Sequence, residues 1–122
     1  MQTDTTTTIN PNEDFKLKRD MNPQEAINLL RRYGMKFFSW GAQAFRTIGT
    51  LPDGYCKALR FKTNGHHHKG HVYLSVNAND LYDVVLTSVS GVIKESITDI
   101  YFEDLFEILD KKIEYIEKYG SK

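Results

Sequence analysis

Tyr55-Cys56-Lys57-Ala58-Leu59-Arg60-Phe61-Lys62 and, after a loop, His71-Val72-Tyr73-Leu74-Ser75-Val76 are two runs in which apolar and polar side chains alternate. A period of two marks a strand with one buried face. Leu59 and Phe61 fall on one side of the first run, with Ala58, Arg60 and Lys62 on the other. In the second run Val72, Leu74 and Val76 oppose His71, Tyr73 and Ser75. The loop between them holds Asn64-Gly65 and Gly70, so the two runs make an antiparallel hairpin.

Downstream, Tyr82 to Ser90 is apolar on both parities: Val84 and Leu86 face one way, Val85 and Val89 the other. A strand covered on both faces reads like this, which predicts the central position in the sheet. After Gly91 an edge strand is expected to Ile97, and Thr98-Asp99 then offers a cap for the longest helix of the chain. Phe102, Leu105, Phe106, Leu109, Ile113 and Ile116 recur at helical spacing. Glu107 with Lys111 and Glu114 with Lys118 stand four apart as favourable pairs, and Gly120 supplies the stop.

Upstream, Gln43 to Gly54 fits a loop or a short strand, and Met35 to Trp40 reads as a first strand broken by Gly41-Ala42. Before it, Asn22-Pro23-Gln24-Glu25 combines an N-cap, a proline at the first helical position and a capping-box glutamate. The helix carries Ala26, Ile27, Leu30 and Tyr33 on its apolar stripe, Arg31 and Arg32 in its last turn, and Gly34 as its stop. Residues 1–14 are threonine-rich with almost no large apolar side chain, and are expected to form a disordered tail that can be removed without loss of stability.

The order helix, about four or five strands, helix predicts an α+β fold. Its antiparallel sheet carries both helices on one face, in a single domain over residues 15–122. No segment between consecutive strands is long enough for the crossover a parallel pair needs. Sixteen basic residues balance 16 acidic ones, so the molecule exerts no bulk pull on nucleic acid or membrane, although the chain to Lys94 leans basic and the remainder acidic. Cys56 is the only cysteine, which rules out an internal disulfide and a cysteine-rich zinc site. The first residues combine neither a basic flank nor an apolar stretch, and no run has the length of a membrane span. A cytoplasmic location and no membrane contact are expected.

Trp40-Gly41-Ala42 followed by Phe45, then Leu59-x-Phe61, then Val72-Tyr73-Leu74-Ser75-Val76-Asn77-Ala78-Asn79-Asp80-Leu81-Tyr82-Asp83-Val84 form a sequence of motifs within Lys36–Tyr101. The stretch covers roughly half the chain and resembles short uncharacterised proteins encoded by bacteriophages and bacterial mobile elements. The tail and the histidine-rich loop depart from that pattern. The resemblance implies an accessory gene product and carries no catalytic residue with it.

Several clusters hold chemistry-bearing side chains. His66, His67, His68 and His71 share one loop, but adjacent side chains there do not converge on a tetrahedral ion. No metal site is expected, and His66, His68 and His71 are the residues that would supply one. Asp80 and Asp83 could act as an acid/base or cation-binding pair, whereas Asn77, Asn79 and Asp80 are also what a tight turn uses. Nothing beside Cys56 would lower its pKa, and neither a nucleophile elbow nor a phosphate-binding glycine loop occurs, so no catalytic residue and no cofactor are expected.

With both helices on one face, the other is left open. Arg60, Lys62, His71 and Tyr73 belong to it, with Lys57 or Lys69 nearby, and Phe38, Trp40, Val85 and Val89 are expected to share it. Trp40, Arg60, Lys62, His71 and Tyr73 are therefore the expected interaction surface. Uncovered apolar residues point to a protein partner or a homo-oligomer. Cations with an interleaved aromatic also suit nucleic acid. The expected function is that of a non-catalytic interaction domain; a nucleic-acid-binding domain is the alternative, and a metal-dependent enzyme built on the aspartates and histidines a weaker one.

Overall fold

The alternating hairpin forms the middle of the sheet. In the computed structural model, which describes residues 7–114, β2 (Ala58–Asn64) and β3 (Lys69–Val76) pair antiparallel with Leu59 opposite Leu74, Arg60 opposite Tyr73 and Lys62 opposite His71. β1 (Gln43–Ile48), β4 (Tyr82–Thr87) and β5 (Ile93–Ile100) complete a five-stranded meander in the order β1-β2-β3-β4-β5, each strand antiparallel to its neighbours. The centre is thus β3. β4, expected there, lies one strand in from the edge, and Val89 sits exposed beyond its end.

Two helices cover one face. α2 (Pro23–Arg31) starts at Asn22, whose side chain accepts from the Gln24 N–H at 3.0 Å, and α4 is Phe102–Ile113. Ala26 and Leu30 of α2 join Leu105, Phe106, Leu109 and Ile113 of α4 against Leu59, Phe61, Val72, Leu74, Val84 and Leu86. Tyr33 stacks on Phe106 with ring centroids 3.9 Å apart, fastening the end of α2 to α4. The apolar phase of α4 holds for Leu105, Phe106, Leu109 and Ile113, but Phe102 is exposed and the start differs: Thr98 and Asp99 belong to β5, and Tyr101 takes the cap position with no side-chain cap. Lys112 reaches Glu95 of β5 at 2.9 Å, tying the helix to the sheet. Ile116, Lys118 and Gly120 lie outside the described residues.

Met35 to Trp40 is not a strand. Met35–Phe38 is a single helical turn, α3, entered through Gly34 at φ 55°. The reason is parity. Phe37 and Trp40 stand three apart, so an extended chain would send them to opposite faces, whereas one helical turn sends both into the core. Phe37 packs edge-on against Trp40 at 5.3 Å, and Trp40 stacks on Phe106 at 4.7 Å.

The stretch expected to be a tail does not behave as one where it is described. Thr8 bridges Val92, the Ile9 N–H donates to Gly91 O at 2.8 Å, and the Ile93 N–H donates to Thr7 O at 2.7 Å. A short helix, α1 (Pro11–Asp14), then leads to Phe15, which stacks on Tyr73 at 5.5 Å. Ile9 is 8% exposed and Phe15 is 2% exposed; with Ala58 and Tyr73 they form a second apolar cluster on the sheet face opposite the helices. Beyond it, Arg19 donates to Val76 O, and Met21 exchanges backbone bonds with Cys56. Few apolar side chains suffice because the sheet already offers a surface to receive them.

Candidate binding surface

Strand parity decides which side chains reach the outer face, the one away from α2 and α4. Arg60, Lys62 and His71 do so, as expected, and lie on adjacent strands in register. Tyr73 shares their face but is 3% exposed beneath Phe15. Trp40 is on the other side of the sheet altogether. It is fully buried, with its indole N–H donating to Asp110 Oδ1 at 2.9 Å. Phe38 is exposed on α3, and Val85 is half-buried beside the N-terminal segment. The expected continuous basic and aromatic face is therefore divided. One end is apolar and covered by residues 7–18; the other is cationic.

The cationic end gains a residue that the sequence did not single out. Arg46 of β1 stands directly opposite Arg60, and Gln43 opposite Lys62. A register shift between Gln43 and Arg46, with Ala44 at φ 57°, breaks the alternation of β1 and hides this placement from the sequence. Phe45, packed on Phe61 at 5.2 Å, shows the helix-facing parity that puts Arg46 outward. Like charges directly opposite each other destabilise a sheet. Among the described residues neither Arg46, Arg60 nor Lys62 has a carboxylate within ion-pair distance, and Arg60 Nε is buried with no hydrogen-bond acceptor. His71 registers the field: burial first, then Arg60, Lys62 and His68, push its pKa below the ordinary histidine value.

The histidine-rich loop has a structural task. The backbone N–H groups of His67 and His68 donate to Ile113 O, and that of His66 to Glu114 Oε1, so the hairpin loop caps the C-terminal end of α4. Gly65 permits the approach, since a Cβ there would lie well inside 3.0 Å of the Ile113 carbonyl oxygen. His68 is buried, its Nε2 donates to His71 O at 3.1 Å, and burial lowers its pKa. Its side chain is thus turned away from His66. Among the described residues no group of three or more His, Cys, Asp or Glu side chains is placed to hold one metal ion.

Asp80 and Asp83 separate into different roles. Asp80, at φ 65°, is exposed in a turn closed by Asn77, whose side chain accepts from the Asn79 and Leu81 N–H groups. Asp83 is buried and receives Lys18 Nζ, Asn77 Nδ2 and the Asp99 N–H. Burial alone would raise its pKa, but these hydrogen bonds and the Lys18 charge outweigh burial and hold the carboxyl below its ordinary range. The Cys56 thiol is pushed up, chiefly by burial, which keeps it protonated and unreactive. Among the described residues no helix is long and apolar enough to cross a membrane. Comparison with protein-family models, with curated proteins and with solved structures returns no match.

Proposed function

We propose that the domain is a non-catalytic binding module whose cationic outer face, Arg46, Arg60, Lys62 and His71, engages the phosphate backbone of a single-stranded nucleic acid. The observation that carries this reading is the direct Arg46 and Arg60 pairing, with no carboxylate to offset it among the described residues. An arrangement that raises the energy of the free protein is relieved by a bound polyanion. With Tyr73 covered by Phe15 it offers no stacking platform, and contacts from Arg46, Arg60 and Lys62 to phosphates carry no sequence information. A cytoplasmic accessory protein of phage or mobile-element origin belongs to the same proposal.

Fluorescence anisotropy with a labelled oligonucleotide at low salt tests it. Three permanent cations give a log–log salt slope of about −2, at roughly −0.7 per neutralised phosphate. Replacing Arg46, Arg60 and Lys62 together with alanine should bring binding to baseline. Undiminished binding by that variant, or none by the native protein at low salt, overturns the reading.

The protein-partner reading has lost Trp40 and Tyr73 as anchors, because both are buried. One observation still favours it: Met35 and Phe38, one helical turn apart on α3, are exposed. Concentration-dependent sedimentation that is abolished by Met35→Glu with Phe38→Glu would establish self-association through α3 instead.

A further inference from the structure

We infer that the space between the N-terminal segment and the sheet is a ligand pocket for a small, largely apolar amine. The cavity measures about 340 Å³ and is closed on one side by Thr8, Ile9 and Phe15, on the other by β3, β4 and β5. Its volume falls at the small end of the range of small-molecule sites. Ile9, Phe15, Val85 and Ile93 supply apolar walls, which suit a hydrocarbon or aromatic body.

The polar groups set the class of ligand. Ser75 lines the cavity, is 1% exposed, and among the described residues its Oγ has no hydrogen-bond partner. Buried hydroxyls in folded proteins are nearly always paired, so a lone one facing a cavity points to a partner that enters it. Ser96, Thr98, Asp14 and Asp83 add oxygen atoms around the same space. The one cation that lines it among the described residues, Lys18, is engaged by Asp83. Asp83 is already filled by Lys18, Asn77 Nδ2 and the Asp99 N–H, whereas Asp14, whose Oδ2 accepts from the Asn10 N–H, has no cation beside it among the described residues; that uncompensated carboxylate favours a ligand that carries positive charge. A carboxylate or phosphate ligand meets the opposite conditions. This site is separate from the Arg46 and Arg60 surface, and neither proposal depends on the other.

The experiment uses the full chain and three probes of similar shape: phenethylamine, 3-phenylpropionate and propylbenzene. In two-dimensional amide NMR, phenethylamine at millimolar concentration should shift the Ser75, Val85 and Ile93 resonances, and the other two probes should bind more weakly. Ser75→Ala removes a hydroxyl that no described residue engages, so the thermal midpoint should hold while phenethylamine affinity falls about fivefold, the worth of one hydrogen bond. Absence of shifts at these amides with phenethylamine overturns the inference, as does equal binding of propylbenzene or the carboxylate. Unchanged affinity in Ser75→Ala does the same. The triple alanine variant at Arg46, Arg60 and Lys62 should bind phenethylamine as the native protein does, which separates this outcome from that of the nucleic-acid test.

Discussion

Replacing Phe15 with alanine tests whether the N-terminal segment is part of the fold. Phe15 is 2% exposed and stacks on Tyr73, with ring planes inclined by 17°. A sequestered phenylalanine buries roughly 200 Å², and truncation to alanine in a tight core costs about 3 to 5 kcal/mol. Phe15 does not sit in a tight core. It lines the 340 Å³ cavity on one side and a second cavity of about 280 Å³, shared with Ile48, Gly49 and Lys57, on the other. Neighbours with space around them relax, and the segment can detach without dragging the sheet along. The expected loss is therefore about 2 to 3 kcal/mol by urea denaturation. Hydrogen exchange gives the sharper readout. The Ile9 and Ile93 amides, bonded to Gly91 O and Thr7 O, should exchange much faster, while the Val72 and Leu74 amides follow global stability alone. A loss below about 0.5 kcal/mol with unchanged Ile9 and Ile93 exchange would falsify the docking, leaving the outer face open from end to end.

Leu105→Ala removes a fully buried side chain from the stripe that holds α4 on the sheet, and should cost about 2 to 5 kcal/mol in denaturant titration. Gly65→Ala drives a methyl group into Ile113, so a loss of about 1 to 3 kcal/mol is expected, with faster exchange of the His67 amide; a neutral effect would mean that the loop does not cap α4. Two pH effects have opposite origins but the same direction. The Asp83 carboxyl is lowered in the fold, so its contribution is complete above the unfolded value of about 3.9 and is lost as pH falls through the lower folded value; Asp83→Asn should remove that component of acid unfolding. His68 and His71 are lowered from 6.5, so below 6.5 the unfolded chain binds more protons and stability declines, a component that His68→Leu should reduce in pH-dependent thermal melts.

The parts that were readable from the sequence share a physical reason. β2 and β3 alternate because one face meets the helices, and α4 shows its stripe because Leu105, Leu109 and Ile113 all meet one surface. Where the period was short or interrupted, it misled. Met35 to Trp40 holds too few residues to separate a strand from a helical turn, and the error put Trp40 on the wrong side of the sheet. The bulge at Ala44 concealed Arg46 in the same manner. Composition failed for the N-terminal segment, since Ile9 and Phe15 are diluted by threonine and charge and gain their stability from distant strands. Arg60, Lys62 and His71 were found by parity alone, but the covering of Tyr73 needed three dimensions.

That covering also bounds what the cationic surface can hold. Along β2 the outward positions run Ala58, Arg60, Lys62, and along β3 they run Ser75, Tyr73, His71, so one end of both strands lies under the N-terminal segment. Arg60 stands at the border, opposite buried Tyr73 on one strand and Arg46 on the other. The permanent charges Arg46, Arg60 and Lys62 then lie on β1 and β2, two strands roughly 4.8 Å apart, since His71 opposite Lys62 on β3 is not a permanent cation. Three such cations neutralise about three phosphates at most, one for each charge. The surface therefore suits a brief electrostatic grip on a short stretch of backbone. A longer footprint would require residues 7–18 to leave the sheet, exposing Tyr73 for stacking and opening the Ser75 cavity in the same movement.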